Sequence, residues 1–235
     1  MVSGPIEGLR RARAPRGAGV RLRDEILDAA TGLLLETGHA PSVSIRSVAQ
    51  RVGVTPPSIY LHFADKEALM DAVCARYFEN LDSEMRRALD EHTSPVGVLR
   101  AQGLAYVRFA TQNPELYRIA TMGQWRSGSS VDVTLDSSAF GYLRATVRRL
   151  MDDGIYHRDD PTKVALQLWS AVHGVAAMVI AKPHLPFGEI EVFADSVLCS
   201  VFCGQVVMGY CDADATPQML AEWVTTHRRW KDPQR

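Results

Sequence analysis

The 235-residue sequence is poor in the features that mark an enzyme, a secreted protein or a metalloprotein. Cysteine is scarce: Cys74, Cys199, Cys203 and Cys211 are scattered rather than spaced as a disulfide framework. No apolar segment follows the N-terminal arginines to act as an export signal, so the thiols are expected to be reduced and buried. Cys199 and Cys203 stand four apart, but two thiols alone make a poor zinc site, and neither a metal nor any other cofactor is expected. No nucleophile–base pair, paired carboxylates or Gly-rich phosphate loop occurs at a spacing that chemistry can use, which argues against an enzyme. No segment alternates at period two for long enough to be a strand, so the predicted fold is all-α.

What is present begins with charge. The net charge of −1 favours no partner, but its distribution is uneven. Residues 1–23 carry six arginines, among them Arg21 and Arg23, against the single Glu7, a local +5 that leaves −6 on the remainder. A basic arm on an acidic body fits a chain that touches phosphate at one end. Hydrophobic content of 46% is enough for a core.

Helical periodicity then runs along the chain. Ile26, Leu27, Ala30, Leu33 and Leu34 predict an amphipathic helix over Asp24 to Thr37, stopped by Gly38. Ser44 reads as an N-cap, with Ile45, Val48, Ala49 and Val52 on one face of a two-turn helix. Gly53 supplies a turn, Thr55 a second N-cap and Pro56 the first helical position. Ile59 and Phe63 point inward there, and Ser58, Tyr60 and His62 outward. Asp65 caps a long helix to about Leu89. Further helices start at Pro95, Asn113-Pro114, Val133, Asp160-Pro161, Ile190 and Thr216-Pro217, with a Gly/Ser-rich loop over Gly123 to Ser130. The expected organisation is a basic, disordered arm over 1–20, a DNA-binding domain over 21–66 and a helical ligand-binding and dimerisation domain over 67–232.

Ser42 to Lys66 is a helix-turn-helix, two short helices joined by a tight turn, and the second would enter a major groove. Small residues at its start, Thr55, Pro56, Pro57 and Ser58, suit a close approach. Tyr60 and His62 can donate to phosphate, and Lys66 adds a cation beside the N-terminal amides of the long helix. Arg46, and with it Ser44 at the helix start, faces the same way; its guanidinium can pair with phosphate or with guanine. Leu61 leaves few hydrogen-bonding groups on this surface.

The stretch resembles the DNA-binding domain of tetracycline-repressor (TetR) family transcriptional regulators. Ser44-Ile45-Arg46, Val48-Ala49, Arg51, Gly53-Val54-Thr55, Ile59-Tyr60, His62-Phe63 and Lys66-Glu67-Ala68-Leu69 carry the resemblance, within Leu22 to Tyr77. It implies operator binding as a dimer by the first three helices, and a helical ligand-binding and dimerisation domain beyond. Pro57 and Leu61 depart from the pattern. Trp169-Ser170-Ala171-Val172-His173-Gly174 is similar to the Trp-His-Gly signature of one class of C-terminal domain in that family, and Asn113 to Tyr117 to a segment of the same class.

Val164 to Ala181 and Ser196 to Cys211 contain no charged residue. Eighteen such residues approach a membrane span. Yet Gln167, Ser170, His173, Ser200 and Gln205 interrupt the runs, and no loop shows a lysine and arginine bias. The expectation is therefore no membrane but a homodimer through helices near 161–181 and 190–209. Candidate pocket residues for a small, largely apolar effector are Tyr106, Phe109, Met122, Trp125, Phe140, Leu143, Trp169, His173 and Met178. The sequence thus reads as a cytoplasmic, dimeric repressor released from a double-stranded DNA operator by its effector. The alternative is a constitutive DNA-binding regulator with no effector.

Overall fold

The computed structural model describes residues 18–90, 92–122, 139–209, 211 and 216–226. Most of the basic arm and the Gly/Ser-rich stretch lie outside these, as do 133–138 at the start of one predicted helix. Among the described residues there are ten α-helices and no strand, the all-α fold expected. They fall into two compact units, Met1–Arg86 with Arg108–Gly141, and Arg87–Val107 with Tyr142–Arg235.

The first unit opens with α1 (Ala18–Thr37), which starts earlier than Asp24 and so takes Arg21 into a helix. Gly38 ends it at φ 63°, its N–H reaching the Leu34 carbonyl at 2.8 Å. After a 3₁₀ turn (Ala40–Ser42) comes α2 (Ile45–Val52), begun by a reciprocal capping box. The Ser44 hydroxyl accepts the Ser47 N–H, and the Ser47 hydroxyl accepts the Ser44 N–H, each at 3.0 Å. Gly53, at φ 77°, makes the turn into α3 (Pro56–Tyr60).

Thr55 stands at the N-cap position, but its side chain does not cap. Pro56 and Pro57 have no N–H to offer, and the Ser58 N–H is taken by the Thr55 carbonyl at 2.9 Å. The Thr55 hydroxyl pairs instead with that of Ser58 at 3.1 Å. Asp65 behaves as expected: its carboxylate accepts the Ala68 N–H at 2.7 Å at the start of α4 (Lys66–Asp90). Leu69, Val73, Tyr77, Leu81 and Met85 form its buried stripe. Ile26, Ala30, Leu34, Val48, Ala49, Ile59, Phe63 and Leu69 close one core across α1, α2, α3 and α4.

Helix α5 (Pro95–Gln112) is followed by α6 (Pro114–Met122), which packs against α1. Between them the Asn113 side chain donates to the Phe109 carbonyl at 2.9 Å. Its side chain thus helps to close α5.

In the second unit, the start of α5 joins α7 (Ala139–Asp152) from Tyr142 onward, α8 (Pro161–Ala181), α9 (Ile190–Met208) and α10 (Pro217–Thr226). Asp160 caps α8 through the Thr162 N–H at 2.9 Å. Helices α8 and α9 pack together, joined by the Gln205 amide donating to that of Gln167 at 2.8 Å. Arg100 holds α9 to α5 through two bonds to Asp195, 2.5 and 2.8 Å. Gly103 lies so close to α9 that an added Cβ would stand 2.7 Å from a Leu198 methyl.

Helix α8 buries Val164, Leu168, Val172, Val175 and Val179, whereas α9 buries only Ala194. Much of α9 faces outward as apolar surface, with Val192 69% exposed. By length and composition, both helices are long and apolar enough to cross a bilayer. The thiols follow this layout and correct one expectation: Cys74 is buried, but Cys199 and Cys203 are exposed and Cys211 is partly so. The uncharged text that suggested burial is the outer surface of α9 in the single chain.

Candidate nucleic-acid interface and ligand site

The first unit presents α2, the Gly53 turn and α3 on a shared core. Burial of Val48 and Ala49 fixes which face of α2 turns out, and leaves Arg46 exposed. Burial of Ile59 and Phe63 does the same for α3. Tyr60 is 53% exposed, Leu61 84% and Pro57 also exposed, while Pro56, Ser58 and His62 are half-buried. Ser44 is exposed, but its hydroxyl is occupied by the capping box.

The predicted cations are arranged by internal partners. Arg21 pairs with Glu25 along α1 at 3.3 Å. The Arg23 guanidinium lies over the Phe63 ring, 5.2 Å from its centre, which ties α1 to the end of α3. Lys66 donates to the Pro41 carbonyl at 3.2 Å and is the first residue of α4. Arg51, conspicuous in the sequence pattern, is exposed but engaged within its own unit. Two of its N–H groups reach the Glu36 carboxylate at 2.7 and 2.6 Å, a forked bond that braces α1 against α2 and holds that carboxyl below its usual range. Sequence reasoning missed this partner, because an exposed Glu fifteen residues away carries no local signal.

Of the nine pocket candidates, the structure brings together Tyr106, Trp169 and His173 in the second unit. The Tyr106 hydroxyl lies 3.2 Å from the His173 Nδ1, and its ring meets Trp169 edge-on with centres 5.0 Å apart. Burial holds the His173 imidazole below its usual pKa, so it is neutral at pH 7. Leu143 is buried in the same unit, and Met178 is exposed on α8. Phe109 and Phe140 belong to the other unit, where Phe109 packs 5.0 Å from the Tyr77 ring. The Met122 side chain and Trp125 lie outside the described residues.

Two features were not anticipated. Gln102, one turn before Tyr106 on α5, is buried with neither amide atom hydrogen-bonded. An open apolar groove of about 610 Å³ lies between α9 and α10, lined by Val201, Gly204, Val207 and Met208 on one side and Leu220 and Val224 on the other. Among the described residues no cluster of three or more His, Cys, Asp or Glu stands ready for a metal.

A two-turn helix, a left-handed glycine and a helix with its outer face bare define a helix-turn-helix regulator of DNA. The model described as bacterial regulatory proteins, tetR family, matches residues 26–73, and that described as tetracyclin repressor-like, C-terminal domain, matches 99–201. The chain belongs to the tetR family of bacterial transcriptional regulators, which are not enzymes.

Among its relatives, the HTH-type transcriptional activator FasR of Mycolicibacterium smegmatis is 34% identical over 49% of this chain and 51% of its own. The tetracycline repressor protein class D of Escherichia coli is 27% identical over 58% and 57%. The chain spans about half the length of the curated relatives it matches. A protein of unknown function from Rhodococcus sp. RHA1 shares the fold with a TM-score of 0.70, at 23% identity over 79% of this chain and 95% of that one.

Proposed function

We propose that the chain is a cytoplasmic, dimeric repressor that binds a palindromic operator and is released by a small, largely apolar effector. Residues 21–66 are the reading head, and 67–232 bind the effector and pair the subunits. The observation that carries this reading is the bare outer face of α3, with exposed Arg46 beside it and Lys66 following it. The exposed apolar side of α9 supports pairing, since two such faces cover each other about a two-fold axis. Effector binding then shifts two heads away from the roughly 34 Å that half-sites one turn apart require.

The test is a gel shift over a salt series, with cleavage protection to find the bound sequence. Affinity for duplex DNA should fall steeply as salt rises. Tyr60→Ala and Lys66→Ala should weaken binding to all duplexes alike, and Arg46→Ala should also relax sequence preference. Salt-independent binding, or none, would overturn the reading.

One observation favours a constitutive binder instead. Tyr106, Trp169 and His173 pack on one another, as a filled core does. A metabolite screen by thermal shift separates the two readings: a compound that stabilises the protein and releases DNA supports the effector, and none doing so supports the constitutive binder. The activator name of the M. smegmatis relative makes the sign of the output a question for a reporter assay.

A further inference from the structure

The α3 turn has two faces of opposite character. Ile59 and Phe63 hold its inner side in the core. Leu61 continues the helical geometry at φ −71° and ψ −18°, so Pro57, Tyr60 and Leu61 are spaced i, i+3, i+4 and share the outer side. All three are exposed, and Leu61, at 84%, is the most exposed large hydrophobic side chain among the described residues. Isolated exposed leucines need no explanation. This one ends a stripe on a turn whose opposite face is fully packed, with exposed Arg46 on the preceding helix and Lys66 opening the following one. An apolar stripe on an element flanked along the chain by cations complements a groove with phosphate rims.

Within a major groove, the apolar group on a base-pair edge is the C5-methyl of thymine; the other groups on offer are hydrogen-bond donors and acceptors. Pro57 and Leu61 can satisfy none of those, and would desolvate them at a cost. We propose that Pro57 and Leu61, flanking a Tyr60 whose hydroxyl holds phosphate, read pyrimidine C5-methyl groups. Each operator half-site is then specified by thymine at the one or two base pairs facing this stripe. 5-Methylcytosine serves there as well, because it presents the same methyl group. This inference rests on α2 and α3 being the duplex interface.

The experiment uses the full chain and a duplex selected by it from a random pool. Each thymine is replaced in turn by deoxyuridine, which lacks only the C5-methyl, and each thymine that proves sensitive by cytosine and by 5-methylcytosine with guanine opposite, of which the methylated form should bind more tightly. At one or two positions per half-site, deoxyuridine should weaken binding about fourfold, the factor that corresponds to ~0.8 kcal/mol per buried carbon. Leu61→Ala should lose a similar factor on the thymine duplex and become indifferent to deoxyuridine at its position. So little of Leu61 is buried that this variant keeps its fold, which a melting curve checks. Indifference of the wild type to deoxyuridine everywhere would overturn the inference. Undiminished sensitivity in both Leu61→Ala and Pro57→Ala would overturn it too. Selection of no duplex at all would instead bring down the DNA-binding reading on which it stands.

Discussion

Gln102 is the side chain least at ease with its surroundings. It is 1% exposed, and neither its amide oxygen nor its amide nitrogen is hydrogen-bonded. A buried polar group left unmatched costs roughly 1–3 kcal/mol, while an apolar residue of similar size at the same place loses nothing. Gln102→Leu should therefore raise the melting temperature, by about 2–4 °C per kcal/mol for a chain of this length. A lowered midpoint by circular dichroism would mean that the amide has a polar partner in solution, such as a buried water. His173 shows the complementary behaviour. It is the single titratable side chain in an uncharged run; burial keeps it neutral, and its Nδ1 lies within hydrogen-bond reach of the Tyr106 hydroxyl.

At the scale of elements, α3 cannot stand by itself. One helical turn lies far below the dozen or so residues an isolated helix needs, so its geometry is borrowed from the core through Ile59 and Phe63. Ile59 is fully buried, and Ile59→Ala should cost about 2–5 kcal/mol. The loss belongs to the first unit. Hydrogen exchange should quicken at α2 and α3 while α8 keeps its protection, and duplex affinity should collapse at temperatures where the chain is still largely helical. Uniform quickening in α8 as well would show that the two units unfold together.

The elements were legible where their determinants are neighbours in sequence. Gly38, Ser44, Gly53, Asp65 and Asp160 each act within four residues of themselves, and each does what its local text states. Thr55 failed as a cap because Pro57 removes one N–H that it would serve and its own carbonyl takes the other, from Ser58, a conflict only half visible in the sequence. Contacts across long separations left no trace in periodicity. Glu36 with Arg51, Arg100 with Asp195 and Tyr106 with His173 all required the fold. The local caps and turns of α1 to α4 were therefore legible in the sequence, and the partners that the fold brings together were not.

For the whole molecule the open question of assembly reduces to α9. Its outward face is apolar, and Gly204 on it has nothing within 4 Å of where a Cβ would stand. In an isolated chain Gly204→Ala is harmless, and even helix-favouring by up to about 1 kcal/mol. If α8 and α9 pair two subunits, the same side chain forces the helices apart. Sedimentation should then move the variant toward monomer without lowering its helicity, and weaken duplex binding with it. A variant that sediments like the wild type would place the pairing surface elsewhere.

Gly103 carries a consequence of another kind. Its Cα lies so near Leu198 that the two positions share one volume between α5 and α9. An alanine there displaces a single leucine methyl, and anything larger needs room surrendered on the opposite helix. Across descendants of this sequence, bulk gained at 103 should appear together with bulk lost at 198. The pair would drift as one heritable unit, although 95 residues separate its members in the chain.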